Sequence, residues 1–334
     1  MTLRKPNRAR RAITRGLLGL PLAAAAAGIA YSNYGVDHAM ALPHALVGER
    51  RELAGRAGKL SYYTDGQGEP LLLIHSINAA ASAYEVRPLY DHYRNSRRVY
   101  ALDLPGFGFS ERSDREYSPR LYVDAILDML DQIHRDTGAE EVDALALSLG
   151  CEFLARAASE NPHRFDTIAL VAPTGMRAND RLYGPDGSVR GNQAVKAGFD
   201  RAPWGLPFYD ALVSRPSQRY FLEKTFGSKE AVDQGMLEYD YLTAHQPGAQ
   251  HAPYAFIAGL LFSADISRVY DALEMPVFAA HGVRGDFTDY GRLREYAARG
   301  NWATAEFQTG AMPYFEVPEQ FITAYDAFLA RAVA

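Results

Sequence analysis

Cysteine is the scarcest resource of this 334-residue chain, with Cys151 its single representative. That count excludes an intramolecular disulfide framework and any multi-cysteine zinc or iron–sulfur site. Charge of one sign is missing too. The 35 Lys and Arg against 40 Asp and Glu leave a net −5, so the chain as a whole has no electrostatic grip on nucleic acid. There is no internal repeat, and no low-complexity tract beyond an alanine run near the N-terminus. With 48% hydrophobic and 22% charged residues, disorder, collagen and coiled coil are excluded. What remains is one large domain with an insertion, or two modest domains.

Acids are absent before Asp37, where Arg4, Lys5, Arg8, Arg10, Arg11 and Arg15 are gathered. Setting these six aside leaves 29 basic against 40 acidic residues, about −11 for the remainder. An uncharged apolar run follows from Gly16 to Tyr31. At ~1.5 Å per residue it spans about 24 Å, a little less than a hydrocarbon core of about 30 Å. That length suits a signal-peptide core or a short signal anchor. Arg10-Arg11-Ala12-Ile13-Thr14-Arg15 resembles a twin-arginine export signal, and Ala39-Met40-Ala41 offers a small-x-small cleavage site. The expectation is a basic arm and membrane segment over residues 1–41, anchored or exported, with the domain outside the cytoplasm by the positive-inside rule. The alternative is an N-terminal helix packed on the core.

Residues 42–59 read as a linker. Beyond them, short apolar runs at Leu60–Tyr63, Leu71–His75, Val99–Leu102, Val142–Leu147, Thr167–Ala172, Pro276–His281 and Ala303–Phe307 predict strands. Ser118-Pro119 opens a predicted helix, and Leu149–Ser159, Leu293–Ala298 and Glu319–Ala330 predict others. Asp65-Gly66-Gln67-Gly68 reads as a hairpin-like turn between the first two strands. Strands alternating with helices mean a parallel sheet covered on both faces. Residues 176–270 lack strand alternation and are rich in aromatics, among them Trp204, Phe208, Tyr209, Tyr254 and Phe256. These side chains suit either the lining of an acyl or aryl pocket or a core of their own.

The most informative stretch is Ala144-Leu145-Ala146-Leu147-Ser148-Leu149-Gly150, between a predicted strand and a predicted helix. A serine in a tight strand-to-helix turn, flanked at two residues on either side by small ones, matches a nucleophile elbow. By itself the pattern also fits a serine capping a helix. Upstream, His75-Ser76-Ile77-Asn78 follows one strand, and Asp103-Leu104-Pro105-Gly106-Phe107-Gly108-Phe109-Ser110 follows the next. The glycine loop has no lysine, which argues against a phosphate cradle.

In this order the motifs resemble the α/β-hydrolase superfamily, most nearly its cap-bearing, serine-dependent esterases and acylglycerol lipases, some of which carry an N-terminal membrane anchor. The resemblance covers residues 60–175 and 271–334. It implies an α/β fold, a mostly parallel sheet with helices on both faces, and a helical cap inserted over 176–270. It further implies Ser148 as nucleophile, the N–H groups of Ile77 and Leu149 as oxyanion hole, and Asp286 as the triad acid, with Asp289 in reserve. The expected reaction is hydrolysis of a carboxylic ester or related acyl substrate through an acyl-enzyme. No metal and no organic cofactor is expected, since this chemistry needs none. The expected partners are a small acyl, ester or apolar ligand and, through the arm, a membrane, but not nucleic acid.

The family's G-H-x-P-x-x-E-x-P segment reads Gly310-Ala311-Met312-Pro313-Tyr314-Phe315-Glu316-Val317-Pro318, with Ala311 at the histidine's place. No histidine follows His281. Loss of a triad member leaves roughly 10³–10⁴-fold catalysis over water, from the oxyanion hole and binding. Ser76 in place of the usual glycine, and Ala146 in place of the first elbow glycine, are further departures. Three accounts stand. His281, ending the strand before the acid loop, is the substitute base, although it equally suits a packed strand end. Or the scaffold is a catalytically impaired ligand-binding or assembly protein. Or Ala311 is an engineered replacement. His245 and His251 lack a third ligand for a metal, and Cys151 reads as a small residue packing helix on sheet.

Overall fold

The computed structural model describes residues 25–201 and 203–332. Eight strands form one sheet in the order β1-β2-β4-β3-β5-β6-β7-β8. These are β1 (Glu49–Gly55), β2 (Gly58–Asp65), β3 (Pro70–Ile74), β4 (Arg98–Asp103), β5 (Val142–Leu147), β6 (Phe165–Val171), β7 (Val277–Gly282) and β8 (Trp302–Phe307). The pairs β1–β2 and β2–β4 are antiparallel, and every other neighbouring pair is parallel. Every residue of β3 and β5 is buried, as continuous apolar strands covered on both faces must be.

The helices are α1 (residues 25–35), α2 (Arg87–Tyr93), α3 (Pro119–Thr137), α4 (Gly150–Glu160), α5 (Gln193–Asp200), α6 (Gly205–Leu212), α7 (Arg215–Phe226), α8 (Gln234–Ala244), α9 (His251–Ile257), α10 (Ile266–Asp271), α11 (Leu293–Ala297), α12 (Pro313–Glu316) and α13 (Pro318–Ala332). Alternate strand residues feed two cores. Leu72, Ile74, Ala144 and Ala146 meet α3 and α4 on one face. Leu71, Leu73, Leu145 and Leu147 meet α2 and α13 on the other. Tyr122 of α3 stacks on Phe153 of α4 with ring centroids 4.6 Å apart. Pro at the first turn and left-handed Gly138 bound α3, as expected of a helix opened by Ser118-Pro119.

Helices α5 to α10 lie between β6 and β7. They carry a small core of Tyr209, Val213, Ala244, Ala249 and Tyr254, packed with Ala80. Both readings of the aromatics therefore hold, for different residues. Tyr209 and Tyr254 are core, whereas Phe256 and Phe262 line a cavity described below.

Two expectations need correction. Residues 49–55, assigned to the linker, form β1. Its sequence ERRELAG buries only Leu53, because it is an edge strand carrying charge on its open side. The loop at Asp65–Gly68 is not a hairpin, because β4 lies between β2 and β3. The tight turn is instead Arg56-Ala57, joining β1 to β2 ahead of Gly58 at φ +93°.

Most of the basic arm lies outside the described residues. Among those described, no helix is long and apolar enough to cross a membrane. The chain from the last turn of α1 onward is tied across the molecule. The Ser32 hydroxyl and the His38 ring (Nε2 at 2.9 Å) bond Asp210 of α6. The Gln246 amide donates to Met40 O (2.8 Å), Tyr239 Oη to Pro43 O (3.0 Å), and Ala45 N to Tyr63 Oη (3.0 Å).

Candidate active site

Strand β5 ends at Leu147 and α4 begins at Gly150, so Ser148 must reverse the chain almost at once. It does so at φ +54°, a left-handed conformation that costs a non-glycine residue on the order of 1–2 kcal/mol. Its N–H donates to Val171 O (2.8 Å), and its carbonyl accepts from Cys151 N (3.1 Å). Gly150 is demanded by contact. A Cβ there would sit 2.5 Å from His75 O, so the elbow and the loop after β3 interlock. At Ala146 the strand interior accommodates a methyl, which makes that departure mild.

Ser148 opens onto a cavity of about 550 Å³. Ile77 and Leu149 line it as well, and among the described residues neither N–H has an acceptor in the protein. Both are thus free to bond an oxyanion. Cations at the cavity wall are Arg177 and Arg190, the latter stacked 4.8 Å over Phe262.

The serine that replaces glycine at position 76 has a partner that sequence reasoning missed. Glu85, fully buried and lining the same cavity, accepts from Ser76 N (2.7 Å), Ser76 Oγ (3.0 Å) and Asn78 Nδ2 (2.7 Å). Burial pushes its carboxyl up to about 7, against the pull of these three donors. The available signal was weak. Glu85 is the one acid between Glu69 and Asp91, in an otherwise apolar stretch.

His75 and Asp103 hold the surrounding loops. Burial keeps His75 neutral, its pKa depressed to about 3. Its Nε2 accepts from Leu104 N (2.9 Å) and its Nδ1 bonds Ser76 O (2.6 Å). Asp103 receives Ala83 N and Phe109 N, each at 3.0 Å. Gly108 at φ +51° passes so close to that carboxylate that no Cβ fits.

Asp286 lies at the cavity rim, exposed, with Lys224 Nζ 3.3 Å from its Oδ1. Asp289, also at the rim, is occupied in accepting Ala178 N and Gly291 N. Ala311 lines the cavity and donates its N–H to Thr225 O (2.8 Å). Glu316 braces this segment by accepting Gly310 N (2.7 Å) and pairing with Arg284. The loop expected to carry a histidine thus places the Ala311 methyl at the cavity.

His281, the expected substitute base, does not itself line the cavity. Its ring stacks on Tyr290, which does, with centroids 4.4 Å apart, and its Nδ1 bonds Gly282 O (3.0 Å). Its Nε2 lies 4.0 Å from Glu306 of the outer strand β8. His281 lies at the end of β7, two strands from β5, and its contacts are with Tyr290, Gly282 and Glu306. Among the described residues no histidine borders the cavity.

The remaining sequence candidates find structural roles. His245 Nδ1 bonds Tyr241 O (2.6 Å), while His251 lies 3.6 Å from Asp114. Among the described residues no cluster of His, Cys, Asp and Glu is gathered as for a metal ion. Cys151 is buried, with Sγ 3.1 Å from Ala146 O, and burial pushes its thiol up.

Residues 69–255 match the family of the alpha/beta hydrolase fold. The chain belongs to that family. A 2-hydroxymuconate semialdehyde hydrolase of Pseudomonas putida is 26% identical over 60% of this chain and 63% of its own length. A second hydrolase of that name, from Pseudomonas sp. (strain CF600), is 29% identical over 38% of this chain and 44% of its own. The chain thus spans less than two thirds of the curated relatives it matches. Among solved structures, a meta-cleavage product hydrolase from Pseudomonas fluorescens IP01 superposes with a TM-score of 0.64 at 20% identity, covering 84% of this chain and 98% of that one. At that identity the superposition shows a shared fold.

Proposed function

We propose that this α/β-hydrolase family member hydrolyses a small carboxylic ester or related acyl compound through a Ser148 acyl-enzyme. The observation that carries the reading is a left-handed, strained serine facing a cavity beside two unengaged N–H groups. Strain of that kind persists only where the surroundings enforce it, and it exposes the hydroxyl while Ile77 and Leu149 await a negatively charged oxygen. Curated relatives named for 2-hydroxymuconate semialdehyde support a small carbonyl substrate. Arg177 and Arg190 suit an anionic end on it, and Phe256 and Phe262 an unsaturated or apolar body. The N-terminal arm, with its six cations and apolar run, supports attachment of this domain to a membrane.

One observation favours a second reading, a ligand-binding protein without turnover. Ala311 stands in the histidine's frame and no histidine lines the cavity among the described residues. Labelling the full-length chain with a fluorophosphonate probe separates the two. The hydrolase reading expects labelling that disappears in Ser148→Ala. A parent that stays unlabelled, with labelling gained in Ala311→His, is the outcome of an intact scaffold with its catalysis switched off, as the second reading expects.

A further inference from the structure

A family member that keeps its nucleophile and oxyanion hole but has no histidine at the cavity needs another acceptor for the serine proton. The carboxylates bordering the cavity are Asp180, Asp286, Asp289 and Glu85. Asp286 and Asp289 are exposed, one beside Lys224 and the other saturated by backbone donors. Asp180 is only partly covered and accepts Arg177 N in its own turn. Glu85 differs from all three. It is fully buried, it has no cation paired with it among the described residues, and its donors are the loop beside the nucleophile.

Tertiary contact places that loop against the elbow that carries Ser148. In the parallel β3–β5 pair, Ile74 is opposite Ala146 at the C-terminal ends from which the two loops leave. The contact of Gly150 with His75 O shows the two loops touching at this point. Ser76 and Ser148 both face the cavity, and the Ser76 hydroxyl already donates to Glu85 Oε1 at 3.0 Å.

We propose that Glu85 is the proton acceptor of this site, drawing the Ser148 proton through the Ser76 hydroxyl. The inference rests on the hydrolase reading above. As the Ser148 oxygen attacks the substrate carbonyl, its proton passes to Ser76 Oγ while the Ser76 proton passes to Glu85. The carbonyl π pair moves onto oxygen, between the N–H groups of Ile77 and Leu149. Collapse expels the leaving group, which recovers the proton along the same route and returns Glu85 to carboxylate. Water then repeats the sequence on the acyl-enzyme.

Electrostatics favours this sequence. A carboxylate buried beside an oxyanion hole opposes the charge that develops there, unless it is neutralised as that charge appears. Accepting the proton does so, and the site's net charge stays constant through the step. The groups packed around Glu85 agree. Asp240 of α8 is buried, and its carboxyl is pushed up by burial first and by the charges of Glu85 and Asp233 in addition. Tyr314 of α12 stays neutral for the same first reason. Asp103 of β4 is engaged with backbone N–H groups. Arg87, exposed on α2, faces Asp233 instead. Burial leaves Glu85 itself titrating near 7, where a general base is most effective.

The test is the second-order rate of fluorophosphonate labelling of the full-length chain between pH 5 and 9, with melting curves taken in parallel. The expected parent rate depends on Ser148 and rises through a single inflection near pH 7. Glu85→Gln is expected to lose about 100-fold or more together with the inflection, and Glu85→Asp to recover part of both. A Glu85→Gln protein that labels at the parent rate, or keeps the inflection, overturns the proposal. If Glu85→Gln does not fold, Ser76→Ala decides. It removes the relay hydroxyl and leaves the carboxylate, and unchanged labelling there overturns the relay. A parent that never labels removes the hydrolase reading, and the proposal with it.

Discussion

Ser148 and Glu85 each hold an unfavourable state that the fold imposes, and both costs are measurable. Replacing Ser148 with glycine abolishes the nucleophile but relieves a left-handed backbone. The expected outcome is a stability gain of roughly 0.5–1 kcal/mol, read from the urea midpoint. For Glu85, the folded pKa of about 7 lies above the usual carboxylate range. Between the unfolded and folded values the native state holds the extra proton. Its contribution to stability is therefore complete below the unfolded pKa and is lost as pH rises to about 7. Melting temperatures taken from pH 4.5 to 7.5 should show Glu85→Gln gaining on the parent across that window. A constant difference would mean that Glu85 is ionised throughout. The turn at Ser148 was legible in the sequence because a strand-to-helix elbow comes with a local pattern of small neighbours. Glu85 was not, because its partners are set by the loop's three-dimensional closure and no spacing rule announces them. His281 misled for the converse reason. Its place at a strand end was read correctly, but chain position does not say that Tyr290 stacks on the ring and takes the place at the cavity wall.

Elements were legible in proportion to their burial. The predicted Val142–Leu147 coincides with β5 because all six residues are apolar or enclosed. Strand β1 escaped notice because one buried leucine among charged neighbours produces no alternation. Sheet order also escaped, since β4 enters between β2 and β3 through long-range pairing that local turn chemistry does not report. The junction of β3, β5 and α4 is where the elements depend on one another most tightly. Gly150→Ala forces a methyl against His75 O, and neither backbone has room to retreat. The expected loss is about 1–3 kcal/mol, visible as a lower urea midpoint, accompanied by slower fluorophosphonate labelling as the Ser76–Asn78 loop shifts. Unchanged stability would mean that the interlock relaxes freely.

For the whole molecule, the segment from the last turn of α1 onward fastens the inserted helices to the core. Asp210, Gln246 and Tyr239 lie on or beside α6 and α8 and hold residues 32–43, while Ala45 is held by Tyr63 of β2. Asp210→Ala removes two of these ties at once. The expected consequence is faster proteolysis between residues 32 and 43 with the eight-stranded sheet left intact, followed by limited digestion and mass spectrometry. The arm itself predicts where the protein is found. Full-length chain should sediment with membranes, and deletion of residues 2–24 should release it to the soluble fraction without altering labelling of Ser148. Co-sedimentation of both forms would assign the attachment to another surface.

Ala311 also has a history written into its codon. Alanine and histidine codons differ at two positions, so no single-base change converts one into the other. The direct intermediates are aspartate and proline. Proline would delete the N–H that bonds Thr225 O, and aspartate would add another acid to a cavity already bordered by Glu85 and Asp286. Regaining a histidine at this position by single-base steps therefore passes through one of these two costs.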